Sequence, residues 1–210
     1  MIRSKTEIIK GNRTSDLRDG ALVVKNGDIE LFIIMDGCSG KSMSGIFVDL
    51  MQKNMKAKFL QLTPEQISPS NLKSSILEII EASRLSVKME CIPSAMSIAI
   101  MAVIASRVSV IMYRGDAAIG RVRRDGSIRW ITRPDIAGKP NIDECIGCPD
   151  RNTVRKLIKN NRPVELTEII VSPFNTLNKF VMATDGWWDN SDSQSSLEKD
   201  DSTVIHIERV

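Results

Sequence analysis

Histidine is nearly absent from this 210-residue chain, which has only His206, and cysteine is sparse at four residues. Cys145 and Cys148 have the C-x-x-C spacing of half a zinc site, but a closed site needs two more ligands. His206 lies far away in sequence, so the spacing reads as ordinary thiols in a reducing compartment. Neither charge predominates. The net charge is +3 and the basic residues are scattered, which argues against nucleic acid as a partner. Long apolar runs are missing too. The longest, Ile98 to Ala105, is far too short to cross a bilayer, so no membrane association is expected. Met1 to Lys10 lacks the basic-then-apolar start of a secretory signal. A cytoplasmic location is the expectation that these absences leave.

What is present is an ordinary globular composition, 42% apolar and 26% charged, without internal repeats. The length suits one domain, residues 1–210, with enough chain to bury a core. Leu22 to Ile34 reads as two apolar strands around an Asn26-Gly27 turn, a strong hairpin signal. Phe47, Met51, Met55, Phe59 and Leu62 recur at helical spacing. A second helix follows Pro69, with Ser70 or Asn71 as cap and a stripe of Leu72, Ile76, Ile79 and Ile80. Next come four short β-type runs: 97–105, 108–113, 117–123 and 127–132. Their connectors are too short for helices, so these strands should be antiparallel neighbours. A short helix over Thr153 to Lys159 and two last strands, Lys179 to Thr184 and Thr203 to Arg209, complete an α+β pattern with helices packed on antiparallel sheet. Asn190 to Asp201 reads as a polar surface loop.

The stretch LFIIMDGCSGKSMSG, Leu31 to Gly45, poses a chemical choice. Gly40-Lys41-Ser42 after a strand and before a helix suggests a phosphate-binding P-loop. Against this, Met35 stands at the first glycine position, Asp36 would aim a carboxylate at a polyphosphate, and P-loop folds use parallel strands. The other reading is a metal centre. Asp-Gly closes an apolar strand twice, at Asp36 and Asp185, and the pair Asp200-Asp201 directly precedes the last strand. Antiparallel strands can bring such ends to one rim. Carboxylates gathered there repel one another and stay partly protonated unless hard, oxygen-seeking cations offset them. The glycine after each aspartate allows a sharp turn and close approach.

These motifs resemble those of the metal-dependent protein phosphatases of the type 2C (PPM/PP2C) class, in the same order along most of the chain. LFIIMDGCSG is similar to that family's strand followed by DGxGG. SAMSIAIMAVI resembles its small-residue segment, MYRGDAAIGRVRRDG its GDSR hairpin, KFVMATDGWWD its FLILASDGLWD, and DDSTVIHI its DNxTVIVV. The resemblance implies a PP2C-like β-sandwich of two antiparallel sheets flanked by helices, with two Mn²⁺ or Mg²⁺ ions at one end. By the match, Asp36 bridges both metals, the Gly37 carbonyl helps hold one, and Asp185 and Asp200 complete the set. Asp116 matches a residue that can hold a third, weaker ion. The implied activity is hydrolysis of phosphoserine and phosphothreonine in proteins. Two metals about 3.5–4 Å apart lower the pKa of a shared water, which attacks phosphorus in line. The implied partners are a phosphorylated protein substrate and a cognate serine/threonine kinase.

The chain departs from the family's pattern in places. The usual opening R-x-x-N-E-D corresponds here to GNRTSDLRDGALVV, where Arg13 takes the place of the phosphate-binding arginine. The Glu-Asp pair is missing, with Asp19 or Asp16 as substitutes after a small register shift. Cys38 stands where many relatives carry histidine. Arg151, Arg155, Lys156, Lys159 and Arg162 are candidates to meet an acidic phosphopeptide, or form a solvated face. The missing pair keeps open a second reading, an inactive pseudophosphatase that binds a phosphoprotein or kinase without turnover.

Overall fold

The computed structural model describes residues 1–68, 70–87, 94–105, 108–136, 139, 141–146, 154, 156–171, 179–189 and 199–210. In chain order the elements are β1 (Ile2–Ile9), β2 (Asp19–Asn26), β3 (Ile29–Gly37), α1 (Ser44–Leu60), α2 (Leu72–Val87), β4 (Ala95–Ile104), β5 (Val108–Arg114), β6 (Ala118–Val122) and β7 (Ile128–Trp130). A 3₁₀ turn follows at Ile142–Glu144, then β8 (Ile158–Lys159), β9 (Thr167–Val171), β10 (Lys179–Ala183), α3 (Asp185–Trp188) and β11 (Ser202–Arg209).

The strands form two sheets. One runs β1-β11-β10-β6-β7. The other runs β2-β3-β4-β5-β9, with β8 paired to β4. Every ladder among the described residues is antiparallel. This is the expected α+β sandwich, and among the described residues no strands pair in parallel as a P-loop fold requires. The predicted hairpin is β2–β3, whose two-residue loop, Gly27-Asp28, follows the Asn26↔Ile29 pair. Gly27 sits at φ +56°, a backbone state that glycine adopts without steric cost.

The alternation of β3 divides its side chains between two cores. Phe32 and Ile34 meet Met101, Phe180, Met182 and Ile205 between the sheets. Leu31, Ile33 and Met35 face the helices, where Phe47, Met51, Met55 and Phe59 of α1 and Ile76 and Ile80 of α2 cover them. A strand apolar on both faces is what a buried layer needs, and each such side chain contributes about 1.5–3 kcal/mol. A third cluster lies on the outer face of the β1-β11 sheet, where Ile136, Ile142, Cys145 and Trp188 pack on Val181 and Val204.

Five elements differ from expectation, the short helix α3 and the 3₁₀ turn at Ile142–Glu144 among them. The helix expected over Thr153 to Lys159 does not form: Ile158–Lys159 is a strand pairing with Ala95 and Met96, and Val154 bridges Ile136. Thr153 and Arg155 lie outside the described residues. A short apolar-basic run suits helix or strand, and here the free edge of β4 decides. Strands β1 and β9 were not anticipated. β1 carries mostly exposed residues and is an edge strand, which needs no apolar periodicity because its partner β11 supplies the ladder. The loop expected over Asn190 to Asp201 falls mostly outside the described residues. No described helix is long and apolar enough to cross a membrane.

Candidate metal centre

Antiparallel pairing brings several strand ends to one rim. Asp19 opens β2 directly opposite Asp36 of β3, and Asp36 in turn faces Ser97 of β4. Asp116 occupies the tight turn between β5 and β6, made possible by Gly115 at φ +91°. Asp185 opens α3 just after β10, and Asp200 lies two residues before β11.

Oxygen atoms of Asp36, Asp116 and Asp185 all lie within 4.8 Å of one another. Together with Asp200, Gly37, Cys38, Ser39 and Ser97 they line a cavity of about 130 Å³. The expected ligands Asp36, Gly37, Asp116, Asp185 and Asp200 therefore share one cleft. Burial, followed by the like charges of Asp185, Asp19, Asp116 and Asp200, pushes the Asp36 carboxyl well above the usual carboxylate range. Asp116 is pushed up to about 7, mainly by burial and then by Asp185. Its side chain is held by the Ser97 hydroxyl, and its carbonyl accepts the Trp188 indole N–H at 3.3 Å.

Asp19 stands behind Asp36 and accepts a 2.7 Å hydrogen bond from the Thr184 hydroxyl. Burial raises it to about 8, only partly offset by that bond. Asp16, the other proposed substitute, instead pairs with the Arg18 Nε at 2.9 Å. Arg13 reaches the cleft rim and donates to Asp200 Oδ2 at 2.7 Å. Gly37 is confined: a Cβ there would lie 2.8 Å from the Arg18 carbonyl. Lys156 pairs with Asp135, whereas Arg151 lies outside the described residues.

Four residues escaped the sequence reading. Ser97 and Thr184 hold ligand-type aspartates, and nothing in a lone Ser or Thr signals that role. Arg18 donates through one guanidinium nitrogen to the Ser39 and Lys41 carbonyls, at 2.7 and 3.2 Å, bracing the loop beside the cleft. Asp201 was visible only as half of an acidic pair, and it is 3% exposed.

The donor set fits a hard divalent cation. It is all oxygen and concentrated at one cleft, and the burial that, ahead of like charges, raises the pKa values of Asp36 and Asp116 is a cost that a bound cation would offset.

No known family profile matches the sequence, and no curated protein matches it. Solved structures do match in fold. The serine/threonine phosphatase of S. agalactiae superposes with a TM-score of 0.81 at 16% identity, covering all of both chains. Stp1 from Staphylococcus aureus gives 0.80 at 16% identity, covering 100% of this chain and 96% of that one. The catalytic domain of PstP, solved in complex with two manganese ions, gives 0.70 at 15% identity, covering 99% and 97%. The chain has the type 2C serine/threonine phosphatase fold, and at this identity the likeness is one of fold.

Proposed function

We propose that the chain is a compact phosphatase of the type 2C kind, hydrolysing phosphoserine and phosphothreonine in proteins with Mn²⁺ or Mg²⁺. The observation that carries this reading is the convergence of Asp36, Asp116 and Asp185 within 4.8 Å, on a fold shared with serine/threonine phosphatases. Asp36, Asp185 and Asp200, with the Gly37 carbonyl, would hold two ions, and Asp116 a third. Asp19 supports the set from behind Asp36. When bound, such ions supply Lewis acidity, lowering the pKa of water and offsetting charge on the phosphoryl oxygens.

The remaining work falls to the chain itself. Arg13 presents a planar guanidinium at the rim, suited to two phosphoryl oxygens at once. Ser97 and Thr184 fix the carboxylates of Asp116 and Asp19, so that little reorganisation is needed when substrate arrives. Cys38 lines the cleft where histidine would serve as a proton donor, so leaving-group protonation does not depend on an imidazole.

Turnover of para-nitrophenyl phosphate and a phosphothreonine peptide with Mn²⁺, lost in chelator and in Asp185→Asn, is the expected result. One feature favours the pseudophosphatase reading: the family's Glu-Asp pair is missing, and Asp19, the substitute after a register shift, is buried and tied to Thr184. A folded protein that binds Mn²⁺ and phosphopeptide without hydrolysing either substrate would select that reading.

A further inference from the structure

Segment 11–18 crosses the rim outside both sheets and carries Arg13. One side chain ties down both of its ends. Asp201 Oδ1 accepts the Gly11 N–H at 2.8 Å, and Oδ2 accepts the Arg18 N–H at 2.6 Å. Between these anchors the Lys199 carbonyl accepts the N–H groups of Asn12 at 2.9 Å and Arg13 at 3.1 Å. The Lys199 N–H donates to Asn12 Oδ1 at 2.6 Å. Gly11 lies so close to the Lys199 and Asp200 carbonyls that a Cβ would collide with both. The Arg13 guanidinium then lands on Asp200, at the edge of the cleft.

We propose that Asp201 is a positioning residue that clamps both ends of segment 11–18 and so fixes Arg13 over the aspartate cleft to receive the phosphoryl group. This rests on the phosphatase reading for Arg13. A carboxylate suits the task because both of its partners are donors, and it offers an acceptor to each. Asparagine has one carbonyl oxygen, and its NH₂ would face a donor, so one anchor is lost. Alanine loses both. The same clamp sets the Arg18 backbone, from which the guanidinium reaches the loop bearing Cys38 and Ser39. Asp201 itself lines no part of the cleft. Its effect on substrate passes through these neighbours.

The test is steady-state kinetics on a phosphothreonine peptide with Mn²⁺, using Asp201→Asn, Asn12→Ala, Arg13→Ala and the Asp201→Asn/Arg13→Ala double variant. Asp201→Asn should raise KM about tenfold with kcat changed far less, the scale expected for one lost hydrogen bond to a charged group. Asn12→Ala, which loosens the segment without touching Asp201, should shift KM in the same direction by less. In the Arg13→Ala background Asp201→Asn should add almost nothing, since the group it positions is gone. Calorimetric titration of inorganic phosphate into the Mn²⁺-loaded protein gives a readout independent of turnover, and Asp201→Asn and Arg13→Ala should each weaken binding. A KM within twofold of wild type in Asp201→Asn overturns the proposal, as does an undiminished effect in the double variant. Wild-type protein that binds phosphate without turnover, and loses that binding in Asp201→Asn, keeps the positioning role while ending the phosphatase reading. Wild-type protein that shows neither turnover nor phosphate binding ends both.

Discussion

Midway along β3, Phe32 and Ile34 press into the space between the sheets, while Asp36, two residues further on, joins a crowd of carboxylates. The two regions share strands but follow opposite rules. In the sandwich, burial stabilises each side chain because apolar surface leaves water. At the rim, the same loss of water penalises charge, and the acids respond with raised pKa values. The contrast shows that the core gathers the carboxylates at the rim, where hydrogen bonds such as Thr184 to Asp19 then hold them. Ladders and apolar packing bring together groups that would otherwise stay apart, and the resulting repulsion is available to a cation.

The largest break in this comparison should come from Asp36→Asn. Removing the central carboxylate should lower turnover by about a thousandfold or more. It should also raise the melting temperature of the metal-free protein by a few degrees, because repulsion and charge burial are relieved together. Activity and calorimetry on one preparation check the opposite signs, and a destabilised metal-free variant would contradict the account of the rim. The second effect is the mirror case. Phe180→Ala, deep between the sheets at 1% exposure, should cost about 3–5 kcal/mol of stability in denaturant unfolding. Where the protein remains folded, its Mn²⁺ affinity should stay near wild type.

The third effect is a pH dependence. Asp19 at about 8 and Asp116 at about 7 lie above an unfolded value near 3.9. The folded state therefore holds protons that the unfolded state releases. This contribution is complete below about pH 4 and is lost as pH rises through 7 and 8. The melting temperature of metal-free protein should fall between about pH 5 and 9, and saturating Mn²⁺ should flatten the slope. A metal-free profile that rises with pH over that window would contradict the sign.

Much of this arrangement could be read from residues. The Asn-Gly turn between the two apolar runs of β2 and β3 gave the hairpin, and the 3.6-residue periodicity of Phe47 to Phe59 gave α1. Asp36 and Asp185 stood out because each combines a carboxylate, a strand end and a glycine. Other features depend on tertiary context. β8 exists because β4 has room for it, and β1 because β11 offers an edge. The choice between Asp16 and Asp19 required the register that puts Asp19 opposite Asp36. The clamp by Asp201 joins residues 183 and 190 positions apart, and no local pattern encodes such a pairing.

The pairing of β1 with β11 also places the Met1 amine 3.0 Å from the Val210 carbonyl. That corner lies at the far end of β11 from Asp200, eight residues or roughly 25 Å along the strand. A fluorophore or surface tether attached at either residue would stand clear of the aspartate cleft, leaving its mouth accessible from solution.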